Sequence, residues 1–220
     1  MHTDHDGLET LAEAVAKAQP YFDDGSRRVA LATYRRLAEG TPAPVEDVAE
    51  RAGESMGLVE RLLASWPGVF RDDRGYVVGF WGLTIGELVP THALEVEGRQ
   101  LFAWCAWDTL FLPGILGTEA RIESTCPVTE ETISLLVRPD GVGETSHPHA
   151  VVSFLLPGTA FDADVIQSFC HFVHFFASRD AGESWTAEHP GTFLLSVEDA
   201  FELGRLVNAR NFPSLAEERR

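Results

Sequence analysis

The chain has 220 residues, enough for one large domain or two small ones, and 45% of them are hydrophobic, so it can bury a sizeable core. Seventeen Lys and Arg against 34 Asp and Glu give a formal charge of −17, which disfavours phosphate backbones and anionic membrane surfaces as partners. The longest apolar run, Leu101 to Trp107, is stopped by Asp108 and is far short of the roughly 18 residues a membrane span needs. The start, Met1 to Glu9, is acidic and does not resemble a secretory leader, so a cytoplasmic location is expected. Three cysteines, Cys105, Cys126 and Cys170, are too few and too odd in number for a disulfide framework.

The first eighty residues read as helical. Leu8 to Ala18 repeats apolar residues at Leu8, Leu11, Val15 and Ala18, and Arg27 to Ala38 does so at Val29, Leu31, Tyr34 and Leu37. Thr41-Pro-Ala-Pro44 breaks the chain, Val45 to Ala52 predicts a short helix, and Gly53 stops it. Ser55 opens the next helix, with Leu58, Leu62 and Leu63 expected inward. Asp72-Asp-Arg-Gly75 is a turn between extended runs at Val69–Arg71 and Tyr76–Phe80. This is a winged-helix order. From Arg27 to Phe80, however, eight basic residues face eight acidic ones, and the segment that would read DNA carries Arg61 against Glu54 and Glu60. A helical cap on the remainder is the better expectation, with no nucleic acid as partner.

The remainder alternates. Gly82 to Leu88 and His92 to Val96 read as extended, and Gln100 to Leu112 as a helix ended by Pro113. Ala120–Ser124, Thr132–Val137 and Ala150–Leu156 read as strands. Asp164 is placed to cap a helix to about Ser178, with Val165, Phe169, Phe172 and Phe176 as its apolar stripe. Ser196 with Asp199 predicts the start of a last helix, and the tail after Pro213 reads as polar and frayed. The expected fold is α+β: a winged-helix-like part over residues 1–80, then residues 81–220 as a small mixed or antiparallel sheet with packed helices.

Two segments carry chemistry. In Leu101-Phe-Ala-Trp-Cys-Ala-Trp-Asp-Thr-Leu-Phe-Leu-Pro113, Cys105 and Asp108 stand three apart and share a face if the segment is helical. A carboxylate amid such apolar neighbours is a misfit unless it is paired or protonated. In Gln167-Ser-Phe-Cys-His-Phe-Val-His-Phe-Phe176, Cys170 sits among aromatics. A lone cysteine is ordinarily an inert buried thiol, and a histidine on an aromatic stripe a hydrogen-bonded core residue. Cys105, Asp108, Cys170 and His174 could also build one tetrahedral zinc site, with His171 nearby.

Together the two segments resemble the signature stretches of the organomercurial (alkylmercury) lyase family, in a Trp-Cys-Ala-x-Asp-Thr-Leu core and a Gln-Ser-Phe-Cys core. The similarity runs from about Gly82 to Phe212, with a weaker likeness in the helical part. It implies an enzyme of mercury detoxification that protonates the carbon of R–Hg⁺, giving R–H and Hg(II). Carried over, Cys105 and Cys170 are the mercury-binding thiolates, Asp108 the proton relay that also touches mercury, and Cys126 a structural thiol. Trp104 and Phe169 are expected to line the substrate pocket. One departure is that Cys170 is followed by His171, where some relatives have a second cysteine. No cofactor is expected beyond Hg(II) as bound product, with free thiols as outside acceptors and a mercuric reductase as a possible recipient. The readings from other classes are a thiol-based, metal-responsive winged-helix regulator and a zinc enzyme using Cys105, Cys170 and His174.

Overall fold

The computed structural model describes residues 5–89, 91–213 and 215; the expected fraying after Pro213 lies outside them apart from Leu215. Four helices open the chain: α1 (His5–Ala18), α2 (Asp24–Leu37), α3 (Val45–Ala52) and α4 (Met56–Ser65). Their ends follow local chemistry. The Asp23 carboxylate accepts the Ser26 N–H, Ser55 Oγ accepts the Leu58 N–H, and Gly53 ends α3 at φ +65°. The burial of α1 is the expected stripe of Leu8, Val15 and Ala18, with Ala12 in place of half-buried Leu11. On α4 the inward pair is Val59 and Leu63, while Leu58 and Leu62 are half-buried, so the stripe is turned from the predicted one.

The hairpin β1 (Val69–Arg71) and β2 (Val77–Phe80) leads into β3 (Leu83–Thr84), β4 (His92–Val96) and β5 (Arg99–Ala103). Helix α5 (Ala106–Leu116) follows, then β6 (Ala120–Thr125), β7 (Thr132–Arg138), β8 (Gly141–Thr145) and β9 (Val151–Leu155). The chain ends through a single turn α6 (Val165–Ser168), β10 (Phe175–Phe176), α7 (Arg179–Glu188), β11 (Thr192–Ser196) and α8 (Val197–Asn211). Eight strands form one antiparallel sheet in the order β1-β2-β3-β5-β4-β6-β7-β8, and β10-β9-β11 form a second. The class is α+β, as expected, with an antiparallel sheet larger than foreseen. The first sheet runs across residue 80 without a break, because Phe80 of β2 pairs with Leu83 of β3, which pairs with Ala103 of β5. Helix α1 packs on α8, and α5 lies between α8 and the strands β4 to β7. Among the described residues no helix is long and apolar enough to cross a membrane.

Two predicted helices are corrected. Arg99–Ala103 is a strand, because the two-residue turn Glu97-Gly98, both at positive φ, folds it onto β4 from Val96↔Arg99 to His92↔Ala103. The helix starts only after Cys105 and runs through Pro113 to Leu116; its residues from Ala106 to Ile115 are all buried, so packing overrides the cost of the internal proline. The helix predicted from Asp164 to Ser178 is one turn and a 3₁₀ turn at Cys170–Phe172, and Asp164 makes no side-chain cap. Phe175 and Phe176 are taken instead by Val152 and Val151 of β9, and Ser153 Oγ donates to the Phe172 carbonyl while accepting the His174 N–H. Of the Gly82–Leu88 run only Leu83–Thr84 is strand, and β8, β11 and α7 had no counterpart in the sequence reading.

A buried hydrogen bond helps tie the helical part to the centre of the molecule: Tyr34 donates its hydroxyl to the Trp81 carbonyl at 2.8 Å. Tyr34→Phe leaves that carbonyl unpaired in the interior and is expected to cost about 1–3 kcal/mol in urea unfolding, with the fold retained; an unchanged midpoint would remove the bond from the account of stability.

Candidate active site

The end of β5 and the start of α5 form the first half of the site. The Trp104 N–H donates to the Gly82 carbonyl, and the Ala106 N–H to the Val173 carbonyl, so the stretch between them is pinned on both sides. Cys105, extended at φ −150°, is the residue that caps α5. Asp108 is the third residue of the helix, and its carboxylate accepts the Cys105 N–H at 2.9 Å. Cys105 and Asp108 therefore meet through the start of the helix rather than along its face, which corrects the physical reason although not the pairing. Cys170 enters from the 3₁₀ turn, which the Val173 carbonyl links back to α5. The two Sγ atoms and a carboxylate oxygen of Asp108 all lie within 4.8 Å of one another. Cys105, Asp108 and Cys170 are 0%, 5% and 4% exposed.

Burial sets the electrostatics. Desolvation pushes the Asp108 carboxyl up to about 7, against opposing hydrogen bonds from the Cys105 side chain and from the Cys105 and Trp104 backbone. It also raises the Cys105 thiol well above its usual range, helped by the hydrogen bond with Cys170 and the Asp108 charge. At Cys170 the hydrogen bond from Cys105 lowers the thiol, but burial and the Asp108 charge together leave it raised. A negative charge on Cys105 has compensation at hand, since it stands at the N-terminus of α5.

Gly82 makes this burial possible and was not foreseen as part of the site. It adopts φ +94°, and a Cβ there would lie 2.7 Å from the Asp108 carboxyl carbon. Trp104 and Phe169 are buried and line a cavity beside Asp108 and Cys170, together with Trp81, Trp107 and Phe161. The cavity measures about 20 Å³. Phe111, on α5 with Asp108, also lines it; Trp81 and Phe161 carry no local sequence signal, because they reach the site from outside the segments of Cys105 and Cys170.

Cys126 lies apart, in the β6–β7 turn. Burial raises its thiol, but hydrogen bonds from Thr129, Ala177 and Val128 outweigh this and hold it below its ordinary value. His174 does not join the cluster of thiols and carboxyl: its Nε2 is hydrogen-bonded to the His171 carbonyl at 2.7 Å, and burial pushes its pKa down to about 4. Among the described residues Cys105, Asp108 and Cys170 are the one group of three or more His, Cys, Asp or Glu close enough to share a metal ion, which leaves the four-ligand zinc site without its histidine.

Residues 89–208 match the model of the family described as alkylmercury lyase, and residues 22–81 that of the helix-turn-helix domain of alkylmercury lyase. An alkylmercury lyase of Staphylococcus epidermidis is 42% identical over 208 residues, covering 92% of this chain and 94% of the relative. One from Bacillus cereus is 45% identical over 175 residues, covering 79% of this chain and 78% of the relative. A solved structure of the mercury-bound form of MerB2 has the same fold, with a TM-score of 0.71 over 91% of this chain and 96% of that one at 24% identity.

The geometry sets two expectations. Gly82→Ala forces both a strained backbone and a clash with the Asp108 carboxyl, and is expected to lower stability by about 1–3 kcal/mol; an unaltered thermal midpoint would show that the loop adapts freely. The Asp108 carboxyl is raised from 3.8 to about 7 on folding. Between those values the folded chain holds a proton the unfolded chain has lost, so this group's contribution to stability falls as pH rises through that window. Asp108→Asn is therefore expected to gain on wild type, by an amount on the order of a few kcal/mol, between about pH 4 and about pH 7 in urea titrations. A difference that does not change with pH would mean that Asp108 does not titrate there.

Proposed function

The chain belongs to the alkylmercury lyase family, and from that premise we propose that Cys105, Cys170 and Asp108 carry out the cleavage of the carbon–mercury bond. The observation that carries this reading is the buried meeting of two thiols and one carboxyl within 4.8 Å. Mercury(II) is soft and prefers thiolate to oxygen or nitrogen, so a pair of cysteines is the natural seat for it. The carboxyl, raised to about 7, both takes and gives a proton near neutrality.

The reaction balances within these groups. The substrate R–Hg–X exchanges X for a cysteine sulfur, and the thiol proton leaves with X. The second cysteine gives its proton to Asp108 and its sulfur to mercury. Electron density from two sulfurs makes the carbon more carbanion-like. Asp108 then passes the proton to that carbon, the carbon–mercury bond breaks, and R–H leaves with Hg(II) held by both sulfurs. Mercury stays divalent throughout, so no electron donor or acceptor enters. The low-polarity walls of Trp104, Trp107 and Phe169 keep bulk water from competing as a ligand or acid.

The buried bis-thiolate product requires other thiols to release it. Small free thiols or the cysteines of a mercuric reductase are the fitting acceptors, by thiol exchange at mercury. Residues 1–80 serve residues 81–220 as a scaffold: Tyr34 fixes Trp81, whose neighbour Gly82 lies against Asp108. Their acidic balance, nine Lys and Arg against 14 Asp and Glu, gives no reason to invoke nucleic acid. Cys126 has the place of a turn-stabilising thiol.

Benzene release from phenylmercury, with excess thiol present, tests the reading. Wild type is expected to release it, and Cys105→Ser and Cys170→Ser to lose activity. Asp108→Asn is expected to retain mercury but turn over roughly 10²–10⁴-fold more slowly, the range for loss of a positioned acid. Normal turnover by Asp108→Asn would remove that residue from the proton relay, and no benzene from wild type would overturn the whole reading.

A further inference from the structure

The three reacting groups are almost wholly buried, and the cavity next to them is about 20 Å³. That is near the ~10–15 Å³ a single water requires, so an organomercurial cannot enter unless a wall moves. The walls are not equivalent. Phe111 belongs to the buried helix α5, its Cβ faces Gly204 of α8, and its carbonyl accepts from Asn208, so moving it disturbs a helix pair. Phe161 is different. It comes from the loop between β9 and α6, residues 156–164, in which all residues but Pro157 and Phe161 are exposed. Its ring fills the gap between Trp81 and Phe169, with centroids 6.0 and 5.0 Å away. At the same residue the Phe161 N–H donates to the Ala18 carbonyl at the end of α1. One ring and one backbone hydrogen bond thus latch an otherwise solvated loop over the reacting groups.

We propose that Phe161 is the gate of the site and sets the size of the organic group it admits. The proposal rests on the lyase reading for its substrate, but the gate itself is a statement about access. Swinging the loop out at Phe161 opens the cavity toward Cys170 without moving either element that positions Cys105 and Asp108. A smaller side chain at 161 leaves the space a bulky aryl group needs, while methyl gains little from it.

The test is alkylation by iodoacetamide, with each modified cysteine located by mass spectrometry. Labelling of such a closed site follows the population of its open form. Phe161→Ala is expected to label Cys170 on the order of ten-fold or more faster than wild type, with Cys126 unchanged as internal standard, and Phe161→Leu to fall between. In turnover, the kcat/KM ratio of naphthylmercury to methylmercury is expected to rise in the same order. Phe161→Leu carries the test if the alanine variant does not fold. Equal labelling of Cys170 in wild type and variant overturns the gate, as does a matching rise at Cys126, which would mean general loosening. A rise with Phe111→Ala but not at Phe161 overturns it too. Faster labelling of Cys170 with no hydrocarbon released by wild type leaves the gate standing and removes the lyase reading.

Discussion

A carboxyl taken out of water beside two thiols must be packed closely enough to stay dry, yet held by enough donors to remain ionisable. Asp108 is placed under both demands. Its carboxyl lies against the backbone of Gly82 at a distance no side chain there would allow, and it accepts the N–H of Cys105. Desolvation wins by a margin that leaves the group near neutrality rather than fully protonated. Much of the local architecture follows from keeping that balance. Gly82 needs its left-handed backbone, Trp81 beside it also sits at positive φ, and two hydrogen bonds, Tyr34 to the Trp81 carbonyl and Trp104 to the Gly82 carbonyl, hold the corner in place.

That corner is also where the helical part of the chain joins the rest. β2 hands over to β3 through Trp81 and Gly82, and the sheet continues from one part into the other. A boundary at residue 80 is thus a boundary in sequence character, whereas the hydrogen-bond ladder treats the two sides as one. The aromatic packing agrees: Phe22 and Tyr34 of the first part pack against Phe212 at the end of α8, tilted and edge-on respectively. The helices thus brace the turn behind the Asp108 carboxyl.

The sequence was legible where a local signal decided the outcome. Gly53, Ser55 and Ser196 mark helix ends in the chain and in the fold, and the Asp72–Gly75 turn makes its hairpin, whereas α2 starts earlier than its apolar period indicates, at the Asp23 cap. It was misread where tertiary pairing overrode periodicity. Leu101 and Ala103 satisfy a strand as well as a helix, and the Glu97-Gly98 turn settles the matter. The aromatics from Phe169 to Phe176 suit a helical stripe, but β9 offers them a ladder. Cys105, Asp108 and Cys170 could be singled out because chemistry-bearing residues in apolar segments are conspicuous. Gly82 and Phe161 could not, since their contribution is the absence of a side chain in one case and the position of a loop in the other. Neither leaves a trace in composition or spacing.

The desolvation that tunes Asp108 also works against the thiols, since it raises both Cys105 and Cys170 above their usual range. A site holding its nucleophiles protonated would be a poor one if it had to ionise them before substrate arrived. A soft metal reverses the order of events, because the cation replaces the proton at sulfur and never meets a free buried thiolate. The displaced proton then has an acceptor in contact with the thiol, at a pKa near ambient pH, and the same proton is the one the carbon needs. Closing the site to water thus costs little in thiol reactivity toward mercury. It also confines to the trio a proton that an open site would exchange with solvent.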